Sequence, residues 1–397
     1  MNKIIVLAFS GGLDTTFCLY ELVKKGYQVH TVFADAGGID QQQIQMIEDK
    51  AIKLGAIKHH TFDIKQAVWN EFVTPLIWSH ARINNEYPLL CSDRYMIVKR
   101  SLQLCDELNT KNFAHGCTAM GNDQFRFDQT VKSLGDYQII APIRDLQAKV
   151  NSVRDYEIEI LRKAGITVDA QHQDYSINEN MLGVTISGGT IDAFQQPDDN
   201  SYLWVKRKHD WPIKPLSIKI GFEKGIATSL NGKANNGVEI IELLNKKLGD
   251  YGIGRHIYTG DVSIGLKGRI AFECPAIDGL LMAHQALQDT VNSKFQNQFN
   301  HIIAQRWAEL VYNGYFHDPH KTDLEAYLKS SQSHVTGTVT LYTEGGNLMA
   351  TAIDSDWIVK DDDSVYAQSC AWSPADATGF IKLAGQASTL VNKVRRG

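Results

Sequence analysis

Six apolar residues in a row, Ile4-Ile5-Val6-Leu7-Ala8-Phe9, stop at Ser10-Gly11-Gly12 and give way to a helical stretch from Thr15 to Lys25, closed by Gly26. A strand buried on both faces needs such a continuous run, whereas a half-exposed strand alternates. The pattern then repeats. Val29 to Ala34 reads as a second strand. Residues 40–54 return to helical spacing, with Ile44, Ile47, Ala51 and Leu54 on one face, and Ile57 to Phe62 reads as a third strand. Helical stretches near 63–79 and 93–109 precede strands at Asn112 to His115 and Tyr137 to Ile143. Strand and helix alternating at this spacing predict a doubly wound parallel sheet with helices on both faces. Ligands of such sheets sit at the carboxyl ends of the strands, so chemistry is expected after strands one, two and four.

Beyond about residue 175 the texture changes. Leu182 to Ser187 and Thr190 to Phe194 flank Gly188-Gly189, and Thr338 to Thr343 and Leu348 to Ile353 flank Gly345-Gly346-Asn347, which reads as two hairpins. Helices are expected near 235–248, 276–290 and 292–313, and from Pro374 to Arg396. At about 150 residues per domain, 397 residues need more than one core. The expected organisation is a parallel-sheet α/β domain over 1–170, an α+β domain over 171–373 and a C-terminal helix over 374–397.

Charge narrows the partners. Forty basic against 45 acidic residues give a net charge of −5, without the basic surplus of a duplex-binding protein. No window approaches 18 apolar residues, so no membrane span is expected. Cys18, Cys91, Cys105, Cys117, Cys274 and Cys370 contain no CxxC pair. Scattered thiols of this kind read as reduced and cytoplasmic, with no zinc ribbon.

Ser10-Gly11-Gly12-Leu13-Asp14-Thr15-Thr16 joins the first strand to the first helix. Two glycines let the backbone approach a polyanion, and successive N–H groups with the helix N-terminus form an anion-binding nest. Ser10, Thr15 and Thr16 add hydroxyls. Asp14 orients the loop or holds Mg²⁺ through water; helix capping is the plainer alternative. The chain has neither a G-x-x-x-x-G-K-[ST] loop nor the third glycine of a dinucleotide fingerprint. Strand, S-G-G-x-D-[ST] and helix resemble the PP-loop of the ATP pyrophosphatases. That resemblance implies that pyrophosphate leaves ATP while a substrate oxygen is adenylated, and that a nucleophile then displaces AMP.

Among PP-loop enzymes, glutamine-dependent synthetases carry a glutaminase unit. Met1-Asn2 leads directly into the first strand, which reads as leaving no room for an N-terminal one. The tRNA-thiolating relatives usually need paired cysteines and a basic surface. The segment His115-Gly116-Cys117-Thr118-Ala119-Met120-Gly121-Asn122-Asp123-Gln124-Phe125-Arg126-Phe127 resembles the AHGCTGKGNDQVRFE block of the argininosuccinate synthase family. Ala141-Pro142-Ile143-Arg144-Asp145, Tyr175-Ser176-Ile177-Asn178-Glu179-Asn180 and Gly252-Ile253-Gly254-Arg255 extend the resemblance nearly end to end. It implies ATP-dependent condensation of citrulline with aspartate through citrullyl-AMP, and a homotetramer. Residue by residue, it puts ATP at Ala8, Phe9, Ser10, Gly11, Gly12, Leu13, Asp14, Thr15, Thr16, Ala34 and Gly116. Aspartate falls at Thr118, Asn122 and Asp123, and citrulline at Tyr87, Ser92, Asn122, Arg126, Ser176 and Thr185. The bland counterparts are a helix cap for Asn122-Asp123, a loop aromatic for Tyr87, a strand residue for Thr185 and a solvated charge for Arg126. His115 reads as structural.

The chain departs from the family pattern in places. Ala119-Met120 stand where Gly-Lys is usual, Asp93-Arg94-Tyr95 where ARP is usual, and Ser187 where EGG has its glutamate. The glutamate and tyrosine that usually touch citrulline align with Gly260 and Phe272. An N-acylated citrulline or another ureido or carbonyl substrate is the alternative this raises. A catalytically silent binding protein is a third reading, which the intact loop opposes.

Overall fold

The computed structural model describes residues 3–166, 175–198 and 201–397. Strand β1 (Ile4–Ala8), helix α1 (Leu13–Lys24), β2 (Gln28–Asp35), α2 (Gln41–Lys53) and β3 (Lys58–Asp63) open the chain. Short helices α3 (Lys65–Val68) and α4 (Thr74–Ser79) flank a π-turn at Trp69–Val73. Then come α5 (Asp93–Glu107), β4 (Asn112–Ala114), α6 (Asn122–Leu134), β5 (Gln138–Ile140), α7 (Pro142–Gln147) and α8 (Val153–Lys163). The five strands form a parallel sheet of order β3-β2-β1-β4-β5. The order reverses between β1 and β4, and that crevice is where a doubly wound sheet takes its ligand.

Alternation along β1 explains both layers. Ile5 and Leu7 pack with Phe17, Leu19, Ala51, Ile143 and Leu161 on one face. Val6 and Ala8 pack with Val98, Leu102, Phe113, Phe127 and Val131 on the other. The last strand is shorter than its apolar run, because Pro142 supplies the first turn of α7.

The remaining elements of this unit are β6 (Tyr175–Asn180), β7 (Gly183–Gly188), α9 (Gly189–Asp192), β8 (Leu216–Glu223), β9 (Ile226–Leu230), β10 (Lys233–Ala234), α10 (Gly237–Gly249), β11 (Arg255–Asp261), β12 (Lys267–Glu273), α11 (Pro275–Val291), α12 (Lys294–Tyr312), α13 (Pro319–Ser331), β13 (Gly337–Thr343) and β14 (Met349–Asp354). They make two antiparallel sheets, β10-β9-β8-β13-β14 and β11-β12-β7-β6. The hairpin around Gly345-Gly346 forms as β13–β14. The hairpin expected around Gly188-Gly189 does not. The edges of β7 are taken by β6 and β12, so Thr190 has no ladder to join and Gly189–Asp192 turns into α9. Trp69, Phe72, Leu76 and Tyr95 share one core with Ile241, Leu280 and Trp307. The excursion from β3 to α5 is thus packed into the antiparallel half.

Packing divides the chain at Trp357. Ile358–Gly397 is a second unit, with helices α14 (Pro374–Ala384) and α15 (Gln386–Arg396). Ser373 and Asp376 form a capping box at the start of α14. No residue of this unit is buried.

Candidate active site

The turn after β1 is built around Gly11, whose φ of +77° suits glycine. Its carbonyl accepts from Lys50 Nζ at 2.6 Å and Thr16 Oγ1 at 3.3 Å. The Gly12 carbonyl accepts from Thr15 Oγ1 at 3.3 Å, and Ser10 Oγ lies 3.3 Å from Thr15 Oγ1. Loop carbonyls are therefore satisfied from behind. The first N–H groups of α1, at Leu13, Asp14 and Thr15, have no acceptor within the helix. The threonines serve the loop itself, and Thr16 is 2% exposed. Ala8 and Phe9 are buried, and the Phe9 N–H donates to the Val32 carbonyl at 2.8 Å. Ala34 lies buried near the end of β2, at the carboxyl edge of the sheet.

Asp14 meets Glu157 of α8. Burial raises the Asp14 carboxyl, and burial together with the Asp14 charge pushes Glu157 up to about 9. Glu157 Oε1 is buried and finds no hydrogen-bond donor among the described residues.

Gly116 follows β4 across the crevice. A Cβ there would lie 3.2 Å from Thr15 Cγ2 and 3.4 Å from the Asp14 carbonyl carbon, so the second segment rests directly on the phosphate loop. Thr118 is half-buried, and its Oγ1 accepts from the Met120 N–H at 3.4 Å. The Ala119 N–H donates to Gln147 Oε1 and its carbonyl accepts from Gln124 Nε2. Asn122 opens α6, and its Oδ1 accepts from the Ser263 N–H at 2.7 Å, tying α6 to the β11–β12 turn.

Asp123 is the charge centre. Its Oδ1 accepts from Arg126 at 2.8 Å and its Oδ2 from Arg94 Nε at 3.2 Å. Although burial opposes ionisation, the two guanidiniums hold its carboxyl below the usual range. Arg94 also donates to both oxygens of Asp93 and to Asn178 Oδ1 at 2.9 Å. Arg126 donates to the Tyr312 carbonyl at 3.1 Å.

The far wall is the β11-β12-β7-β6 sheet. Pairings His256–Phe272, Phe272–Thr185 and Thr185–Asn178 put these four residues in one cross-strand row. Ser187 and Ser176 pair two residues further on, on the same face. Ser176 is exposed and Thr185 is 7% exposed. Tyr87 stacks on Tyr258 at 5.4 Å and meets Phe272 edge-on at 5.4 Å. The Tyr87 hydroxyl donates to Cys91 Sγ at 3.5 Å, and Thr185 Oγ1 lies 3.8 Å from that sulfur. Ser92 is buried with its hydroxyl given to the Leu89 carbonyl at 2.8 Å, so it shapes the turn that carries Tyr87.

Sequence reasoning missed Arg94, Asn178, Cys91 and Tyr258. Adjacent Asp93-Arg94 opening the apolar-faced α5 was the available signal for Arg94. The others depend on cross-strand register, which no local pattern carries.

A profile described as "Arginosuccinate synthase N-terminal HUP domain" matches residues 4–167, and one described as "Arginosuccinate synthase C-terminal domain" matches residues 175–391. The argininosuccinate synthase of Xanthomonas campestris pv. campestris is 50% identical over 395 residues, covering 100% of both chains. That of Xylella fastidiosa is 50% identical, covering 100% of this chain and 98% of its own. That of Methanocaldococcus jannaschii is 35% identical, covering 97% of each. With both halves matched and identity sustained along the whole chain, this protein belongs to the argininosuccinate synthase family.

Proposed function

We propose that the chain joins citrulline to aspartate at the cost of ATP, releasing AMP and pyrophosphate. The observation that carries the reading is contact between the two motif segments: Gly116 lies against Thr15, with Asp123 and Arg126 at the start of the helix that follows. A nucleotide on the first segment then has its α-phosphorus beside an amino-acid site on the second.

The ureido oxygen of citrulline attacks the α-phosphorus, and pyrophosphate departs into the loop amides of Gly11 to Thr15. The aspartate amine then attacks the ureido carbon, loses a proton and expels AMP. A urea carbon is a poor electrophile, so adenylation supplies the leaving group and the protein supplies placement and charge. Thr118, Asn122 and Asp123 are assigned to aspartate. Tyr87, Ser92, Asn122, Arg126, Ser176 and Thr185 are assigned to citrulline, with the Arg126 fork suited to a carboxylate. Ala8 to Thr16, Ala34 and Gly116 are assigned to ATP.

Mg²⁺ accompanies the nucleotide in this reading. Asp14, in the first turn of α1, offers the hard oxygen donor such a cation takes, where it would neutralise charge on the pyrophosphate. The assembly is a homotetramer in this reading, supported by the exposed apolar residues Phe380, Ile381, Leu383 and Val394, which call for a partner surface. No helix is long and apolar enough to cross a membrane among the described residues.

The test is AMP and pyrophosphate production with citrulline and aspartate omitted in turn. Both must be required for sustained AMP release. Formation of ADP, or AMP release indifferent to both, would sink the reading.

A further inference from the structure

His115 directly follows β4 and is 1% exposed. Each of its polar atoms is committed. Its carbonyl accepts from the Cys18 thiol of α1 at 3.8 Å. Its Nδ1 lies 3.1 Å from the Cys117 amide nitrogen, which can only donate. Nδ1 is therefore the unprotonated nitrogen, and Nε2 carries the hydrogen. Nε2 lies 2.9 Å from Asp128 Oδ1 in α6. Asp128 is gripped in turn by both terminal nitrogens of Arg144 in α7, at 2.8 and 2.9 Å. One Arg144 nitrogen also sits 3.4 Å from Nε2, which opposes a second proton on the ring. Burial lowers the imidazole pKa against the pull of Asp128.

These contacts join α1, through the backbone carbonyl, and the 116–121 loop, α6 and α7, through the ring, at a single residue. The loop rests on the phosphate-binding turn through Gly116. Helix α6 carries Asp123 and Arg126 in the two turns that precede Asp128. The ring thus fixes the distance between what the loop holds and what the helix holds.

We propose that His115 is a positioning residue for the condensation: its neutral, Nε2-protonated ring accepts the Cys117 N–H and so sets the reach from the nucleotide to the amino-acid substrates. The inference rests on the proposed function for the identity of those substrates, and its test separates the two. A small misplacement of reacting groups slows chemistry more than it weakens binding.

The test uses the full-length protein. Long-range proton–nitrogen spectra of histidine-labelled protein read the tautomer; Nε2–H is expected, and a proton on Nδ1 would overturn the inference. His115→Asn keeps an acceptor oxygen at the Nδ1 position, while His115→Gln reaches Asp128 but offers the amide no acceptor there. With citrulline, aspartate and ATP, His115→Gln should lower kcat on the order of 100-fold with citrulline KM within about threefold, and His115→Asn should recover most of the lost rate. Equal losses in both variants with equal melting shifts would reduce the histidine to a space-filler. If wild-type protein makes no AMP from citrulline and aspartate, the proposed function fails while the tautomer measurement still decides the imidazole's role.

Discussion

Asp123 illustrates how one carboxylate serves two purposes. It neutralises Arg94 and Arg126, and it stands where an aspartate ammonium is expected to bind. Asp123→Asn keeps the shape and removes the charge. AMP-releasing turnover should fall on the order of 100-fold, the scale of losing a charged transition-state contact. Pulse-quench detection should still find the citrullyl adduct, because adenylation precedes the amine's attack. Loss of the adduct itself would refute that division of labour. Glu157 gives a second residue-scale prediction. Its folded carboxyl holds a proton up to about 9, whereas the unfolded one loses it in the ordinary carboxylate range. The associated stability is present at low pH and disappears as pH rises toward 9. Glu157→Gln imitates the protonated form. Its melting-temperature advantage over wild type, without nucleotide, should widen from pH 6 to pH 9; a constant difference would contradict the assignment.

At the scale of elements, the informative unit is the aromatic wall where β11 meets the Tyr87 turn. Phe272 brings no hydroxyl to that wall, but Tyr258 does. Its ring stacks on Tyr87, and its hydroxyl occupies the space over Gly260, 2.0 Å from where a Cβ would stand. Gly260 is needed there because the neighbouring row of the strand has filled the volume, not because of its own backbone angles. Gly260→Ala must displace the Tyr258 ring. Overpacking of this kind costs about 1–3 kcal/mol, and citrulline KM should rise while ATP KM holds. Unchanged kinetics would mean that Tyr258 does not line the pocket. The parallel sheet was legible because buried strands show as apolar runs and their helices as 3.6-residue spacing. Strand β8 alternates cleanly from Leu216 to Glu223 and was legible but unread, whereas β9, β11 and β12 show no clean alternation. The supposed strand at Thr190 failed because β6 and β12, the latter arriving from beyond α10, take both edges of β7.

Across the whole molecule, buried histidines set the acid limit. His80 Nε2 lies 2.7 Å from His284 Nδ1, and His284 Nε2 lies 2.9 Å from Gln332 Oε1. Burial lowers both, His284 to about 4. The unfolded chain takes protons that the folded one refuses. Stability is therefore complete above the ordinary histidine range and is lost as pH falls through it toward 4, at about 1.4 kcal/mol per pH unit for each such group. Urea unfolding at pH 7 and pH 5 should show that slope, and a flat profile would contradict the buried neutral pair. The second unit carries the other whole-molecule prediction. Phe380 is 72% exposed and Leu390 51% exposed, with no core in the unit itself. Phe380→Asp with Leu390→Asp should lower the oligomeric mass seen by light scattering, with little change in the circular dichroism of the sheet-bearing unit. An unaltered mass would show that these helices do not hold copies together.

The amino-acid order by itself determined the parallel sheet, the glycine turn after β1 and the segment facing it, because each depends on neighbours within a few residues: apolar runs, paired glycines, a helix start. Tertiary structure alone decided that Arg94 braces Asp123, that Tyr258 supplies the phenol beside Tyr87, and that Thr16 and Ser92 spend their hydroxyls on backbone carbonyls. Those outcomes depend on cross-strand register and on which atoms are left unsatisfied once the core has closed, and neither quantity exists until distant segments meet.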